Sequence, residues 1–224
     1  MKVYNIKLMP AKNVLKEFAP NSYYHIYNRG VAKQSIFLDE NDYKTFLGYL
    51  KLYLIVLDKN DKTRPSRKLK NYFQNLILLS YCLMPNHFHL FVFQKDIEIM
   101  TEFMRSLGTK YSMYFNKRYK RVGPVFQSRY KAVMVKSESQ FIYLSKYIHR
   151  NPLDILPSGT DLDGYKYSSY QNYLGRFNQT WVETSEILSY FSKTNSEESY
   201  KKFVEEVDET DLIRIKDLVL DLDY

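Results

Sequence analysis

A chain of 224 residues with 45% apolar side chains is long enough for one packed domain with a modest extension, and its net charge of +8 favours a polyanionic partner over an acidic-surface role. No apolar run is long enough to span a bilayer, and the single cysteine, Cys82, rules out an internal disulfide and fits a reducing compartment. The N-terminal stretch MKVYNIKLMPAKNVLK lacks an apolar signal core, so a cytoplasmic protein is expected. With 22 Tyr and 14 Phe, some aromatic rings are expected at the surface, where they can stack on bases.

In chain order, residues 1–20 read as a loosely structured arm closed by Pro20. Residues 22–29 (SYYHIYNR) alternate as a strand, with Tyr23, His25 and Tyr27 on one face and Tyr24 and Ile26 on the other, until Gly30 breaks it. A helix is expected over about 42–57, capped by Asp39 or Asn41, with Phe46, Leu47, Leu50, Tyr53 and Leu54 as its apolar stripe. Residues 58–70 form a polar connector. Two strands follow, one over about 74–84 (LILLSYCLM at its core) and one over 87–94 (HFHLFVFQ), joined by Pro85-Asn86 as a turn. Helical spacing then runs from Asp96 to about Lys117 through Ile99, Met100, Phe103, Met104, Leu107, Tyr111 and Tyr114, weakened at Gly108. A loop over 118–127 with Gly123-Pro124, a strand over 129–136, and a helix over 138–149 capped by Ser137 and stopped by Pro152 complete the series. One short helix is expected near 165–174, then helices at 184–192, 196–207 and 209–220.

Strand, helix, strand, strand, helix, strand, helix is an α+β order. It predicts a ferredoxin-like (split βαβ) antiparallel sheet with helices on one face, in a domain over 1–175, plus a helical C-terminal appendage over 176–224. The charge is uneven: residues 195–224 hold ten Asp/Glu and four Lys/Arg, a net of −6, so the remainder carries +14. From Phe103 to Ser137 there are nine Lys/Arg and no acid, interleaved with Tyr111, Tyr114, Phe115, Tyr119, Phe126 and Tyr130. Arg105, Lys110, Lys117, Arg118, Lys120, Arg121, Arg129 and Lys131 are therefore candidate contacts to single-stranded or hairpin DNA, since basic charge attracts phosphates and aromatic faces stack unpaired bases. A merely solvated basic face fits the same pattern.

Two of the four histidines, His87 and His89, stand two apart in a strand, about 7 Å along it and on one face, where they can close on one metal ion. A half-solvated histidine pair would look the same. On the helix over 138–150, Tyr143, Tyr147 and Asn151 are spaced four apart and share a face, while Phe141, Leu144 and Ile148 can pack on the sheet. A tyrosine beside a metal is a nucleophile candidate, and the asparagine oxygen can serve as third ligand. The spacing is equally that of ordinary tyrosines with Asn151 capping the helix end.

Met84-Pro85-Asn86-His87-Phe88-His89-Leu90, followed by Tyr147-Ile148-His149-Arg150-Asn151-Pro152, resembles the single-tyrosine HUH transposases (IS200-like), above all their REP-associated tyrosine transposase branch. Tyr24-His25-Ile26-Tyr27-Asn28-Arg29-Gly30 and Gly123-Pro124-Val125-Phe126-Gln127-Ser128-Arg129-Tyr130 are similar to recurring segments of that family, so the resemblance spans about residues 20–175. It implies an endonuclease and strand transferase that cuts and rejoins single-stranded DNA through a 5′-phosphotyrosine. Tyr147 is then the nucleophile, His87, His89 and Asn151 the metal ligands, and Mg²⁺ or Mn²⁺ the metal; imidazole ligands suit Mn²⁺ better. Some relatives are dimers that exchange the tyrosine helix, so a homodimer is a possible state. Two other readings stay open: a non-catalytic nucleic-acid hairpin-binding protein, and a two-tyrosine HUH replication initiator or relaxase that also uses Tyr143. His25 and His149 have no role at this point, and His149, two residues from Tyr147, points away from the nucleophile face.

Overall fold

The computed structural model describes residues 16–56, 70–206, 208 and 210–219. The expected connector at 58–70, apart from Lys70, and most of the expected arm lie outside the described residues. No helix among the described residues is long and apolar enough to cross a membrane.

Four strands form one antiparallel sheet: β1 (Ser22–Arg29), β2 (Leu76–Met84), β3 (His87–Gln94) and β4 (Lys131–Met134), in the order β2-β3-β1-β4. Helix α1 (Glu40–Leu54) connects β1 to β2 with β3 between them, and α2 (Ile99–Arg118) connects β3 to β4 with β1 between them. These are two split βαβ units, so the α+β, ferredoxin-like expectation is met. Asp39 caps α1 by accepting from the Asn41 and Asp42 backbone amides. Gly30 ends β1 where only a hydrogen fits, because a Cβ there would lie 2.1 Å from the Gln34 carbonyl oxygen.

Helices on one face describes α1 and α2 alone. Helix α3 (Glu138–Arg150) and the C-terminal helices α4 (Tyr170–Tyr173), α5 (Ser185–Leu188), α6 (Ser196–Glu205) and α7 (Asp211–Ile215) cover the opposite face. The reason is in the strands. β2 and β3 are apolar at both parities, so neither face tolerates water. Tyr24, Ile26, Leu78, Phe88, Leu90 and Val92 pack under α1 and α2 with Phe46, Leu50, Phe103 and Tyr111. Leu79, Cys82, Met84 and Phe91 pack against Phe141, Leu144 and Ile148 of α3 and against Tyr170, Tyr173, Tyr200 and Ile215. A bulge at Leu79 makes this possible: Leu78 pairs with Val92 and Ser80 with Phe91, so the face of every later β2 residue is reversed. The C-terminal appendage thus shares the second core with the sheet.

One buried charge network fixes α1 to α2. The fully buried Asp42 accepts from the Leu38 amide at 2.8 Å, the Tyr114 and Tyr119 hydroxyls at 3.0 and 2.8 Å, and Arg118 at 3.0 Å. Arg118 also pairs with Asp39. Its partly exposed guanidinium is engaged by both carboxylates, so it is less free to meet a phosphate than a fully solvated cation. Asp42→Ala removes the shared acceptor of four donors, of which Arg118 keeps Asp39, and is expected to cost about 3 kcal/mol or more, read by urea unfolding. A loss below about 1 kcal/mol would show that the network adds little.

Candidate active site

The β2–β3 turn sets the site. Pro85 and Asn86 are pinned by β1 and the segment after it: the Pro85 carbonyl accepts from the Ile36 and Phe37 amides at 2.8 and 3.0 Å, and the Asn86 carbonyl from Gly30 at 2.8 Å. His87 and His89 then leave the turn on one face, ring centroids 4.9 Å apart. Register adds the neighbours. Arg29 lies opposite His87, Tyr27 opposite His89, and Lys131 of β4 opposite Tyr27, all on the face covered by α3.

Helix α3 begins where Ser137 accepts from the Gln140 amide, and Phe141 packs on Phe91 and Tyr23 of the sheet. This puts Tyr147 over the histidines, 5.5 Å from His89 and 6.0 Å from His25 between ring centroids. The Asn151 amide nitrogen donates to the Tyr147 carbonyl at 2.9 Å. The Asn151 side chain also lies close enough to His87 and His89 to influence the titration of both. His87, His89, Asn151 and Tyr147 therefore converge within a single chain.

Side-chain orientations are set by groups that only accept. Asn86 donates its amide to the Lys33 carbonyl at 3.2 Å, which turns its oxygen to His87 Nδ1 at 2.6 Å, so His87 Nδ1 donates and Nε2 keeps its lone pair. His89 Nε2 is buried and has no hydrogen-bond partner. An orphaned buried nitrogen in a polar cluster is costly unless something binds it, and a divalent cation is the group that fits. Among the described residues no three His, Cys, Asp or Glu gather as a metal site.

Burial dominates the titration of the cluster. It lowers His87 and His25 to about 4 and His89 well below its ordinary value; the nearby Asn151 side chain opposes this at His87, and Arg29 adds to it. The imidazoles are neutral at pH 7, as metal ligands must be. Burial also raises the Tyr147 phenol, with Asn151 opposing. His149 is lowered to about 3 by burial alone. Unfolded histidines take up protons near pH 6.5, and His25 and His87 take them up only near 4, so the unfolded state binds more protons in between. In EDTA, stability is expected to fall as pH drops from 6.5 to 4, by about 1 kcal/mol per pH unit for each such histidine, and thermal unfolding across that window reads it. A flat profile there would contradict the buried neutral state.

The other sequence candidates are placed apart from one another. Tyr143 packs on Phe203 of α6 at 5.2 Å and under the Arg214 guanidinium at 4.7 Å. His149 is fully buried between the Tyr200 hydroxyl at 2.7 Å and the Ser169 hydroxyl at 2.8 Å, a structural role that excludes DNA contact. Of the basic candidates, Lys131 alone lies on the histidine face, 5.8 Å from the Tyr27 ring. Arg105 and Arg129 line a cavity of about 560 Å³ with Lys16, Tyr130, Asn28 and Phe88, across the sheet from the histidines. Lys110 lies over Tyr49 and Arg121 over Phe115, while Lys117 and Lys120 are exposed. The basic candidates therefore fall in several separate patches. Sequence reasoning missed Arg29 and Tyr27; the parity of β1 gave them one face with His25, but the strand register was needed to show that this face meets His87 and His89.

Residues 55–151 match the family model described as transposase IS200 like, a span that contains His87, His89, Tyr147 and Asn151. Among solved structures, the fold is similar to that of a REP-associated tyrosine transposase bound to a REP hairpin, with a TM-score of 0.52 at 12% identity, over 75% of this chain and 90% of that one. A candidate transposase from Deinococcus radiodurans R1 also matches, with a TM-score of 0.37 at 15% identity, over 63% of this chain and 97% of that one. No curated protein matches the chain. The resemblance carried by the histidine and tyrosine motifs holds for the segment that bears both: residues 55–151 are similar to the IS200-like transposases.

Proposed function

We propose that the chain cuts and rejoins single-stranded DNA that bears a hairpin, with Tyr147 as the nucleophile. The observation that carries this reading is the meeting of Tyr147 with two imidazoles and a carboxamide, one imidazole nitrogen being buried with no partner. The family match supports transposase-like chemistry, and the hairpin bound to the solved relative supports the substrate class.

When bound by His87, His89 and Asn151, Mg²⁺ or Mn²⁺ would neutralise the charge of the scissile phosphate. The chain's own residues do the rest. Helix α3 holds the Tyr147 hydroxyl over the histidine face, so attack on phosphorus needs little rearrangement. The phenol loses its proton, the new Tyr–O–P bond forms, and the P–O3′ bond breaks to leave a 3′-OH. Another 3′-OH then attacks the phosphotyrosine, reseals the strand and returns the phenol. Arg29 and Lys131 share this face and serve the flanking phosphates.

A hairpin oligonucleotide labelled at its 3′ end, incubated with Mn²⁺ or EDTA, should give an SDS-stable protein adduct with Mn²⁺ alone. Binding without an adduct across cognate hairpins and metals would favour the non-catalytic reading.

A further inference from the structure

We propose that His25 is a positioning residue for His89, held in turn by the backbone carbonyl of Leu218, so that the C-terminal appendage sets the orientation of a ligand imidazole. The inference rests on the reading of His89 as a cation ligand. His25 is fully buried on β1, on the same face as His89. Its Nδ1 lies 2.5 Å from the Leu218 carbonyl oxygen, and its Nε2 lies 2.9 Å from His89 Nδ1. A carbonyl only accepts, so His25 Nδ1 carries the hydrogen. In a neutral imidazole the other nitrogen is then an acceptor. His89 Nδ1 must therefore donate to it, and His89 Nε2 is left with its lone pair. That is the buried atom with no protein partner.

The chain of three groups thus has one direction: His89 donates to His25, and His25 donates to Leu218. Reversal would place a hydrogen on His89 Nε2 and close the lone pair that a cation needs. Leu218 is itself fixed. It follows α7, which is tied to α3 by the ion pair of the buried Lys146 with Asp211 at 2.7 Å, one residue from Tyr147. The Leu218 amide donates to the Ile215 carbonyl at 2.8 Å, which closes the turn that aims its own carbonyl at His25. The appendage therefore reaches the site through His25 without contributing a side chain to it.

The test uses the full chain with ¹⁵N-labelled histidine, as wild type, His25→Leu and His25→Gln, at neutral pH. Long-range ¹H–¹⁵N spectra of the metal-free protein read which nitrogen of His89 bears hydrogen, and titration calorimetry with Mn²⁺ reads affinity. The expected result is an Nδ1-protonated His89 in the wild type. His25→Leu, folded by circular dichroism, should bind Mn²⁺ about ten- to a hundredfold more weakly. His25→Gln keeps an acceptor for His89 and should recover most of that loss. Hydrogen on Nε2 of wild-type His89, or a folded His25→Leu with wild-type affinity, overturns the proposal. The wild-type spectrum decides the orientation even if His25→Leu does not fold. Failure of the wild type to bind Mn²⁺ overturns the ligand reading and the proposal with it, and a His87→Ala control shows whether any binding observed is at this site.

Discussion

Tyr147→Phe should abolish the covalent protein–DNA adduct, lowering its rate of formation by at least about a thousandfold, because it removes the phenol oxygen that attacks phosphorus. The substitution removes one oxygen from a half-buried ring that stays wedged between His25, His89 and the sheet, so the fold should be unchanged. Hairpin affinity should stay within a few-fold. Tyr143→Phe is the matched control. Its ring is occupied by Phe203 and Arg214, so adduct formation should continue at the wild-type rate. Denaturing gels with both variants decide the matter. An adduct that survives in Tyr147→Phe and disappears in Tyr143→Phe would transfer the role to Tyr143 and revive the two-tyrosine reading.

His89→Ala carries the second large effect. It removes the imidazole whose Nε2 is buried without a partner and leaves His25 Nε2 with no donor. Two consequences are expected. Mn²⁺ affinity should fall by at least about a hundredfold, since one of the three proposed donors is gone and the remaining pair is neutral. The metal-free protein should lose about 2–3 kcal/mol, from the cavity under Tyr147 and the stranded acceptor on His25. Calorimetry and urea unfolding separate the two. Unchanged Mn²⁺ affinity in a folded His89→Ala would show that the cation binds elsewhere, and the histidine pair would then be a structural feature.

The fold was legible where side-chain period and turn chemistry agree. The strands over 22–29 and 87–94, the Pro85-Asn86 turn, and the Ser137 cap with the following helix stand where the residues put them. The candidate site was legible through the spacing of His87 and His89 and the four-residue step from Tyr147 to Asn151, which the fold brings to one face of the sheet. The short helices of the appendage were overextended in the sequence reading: 184–192 shrinks to Ser185–Leu188, because Tyr173, Tyr200 and Phe191 pack tightly enough to hold irregular turns between them. Arg118 read as a surface cation because its buried partner Asp42 lies 76 residues away, beyond any local pattern.

The sequence by itself determined which side chains share a face, because that depends only on the period of each element: Tyr23, His25 and Tyr27 along β1, His87 and His89 along β3, Tyr147 and Asn151 along α3. Only the tertiary structure decided which faces meet. The Leu79 bulge, the β2-β3-β1-β4 order and the return of the appendage to Leu218 come from packing two apolar sheet faces at once. That packing gave His25 its partner and His89 its orientation, since a hydrogen bond across 64 or 193 residues leaves no trace in local spacing.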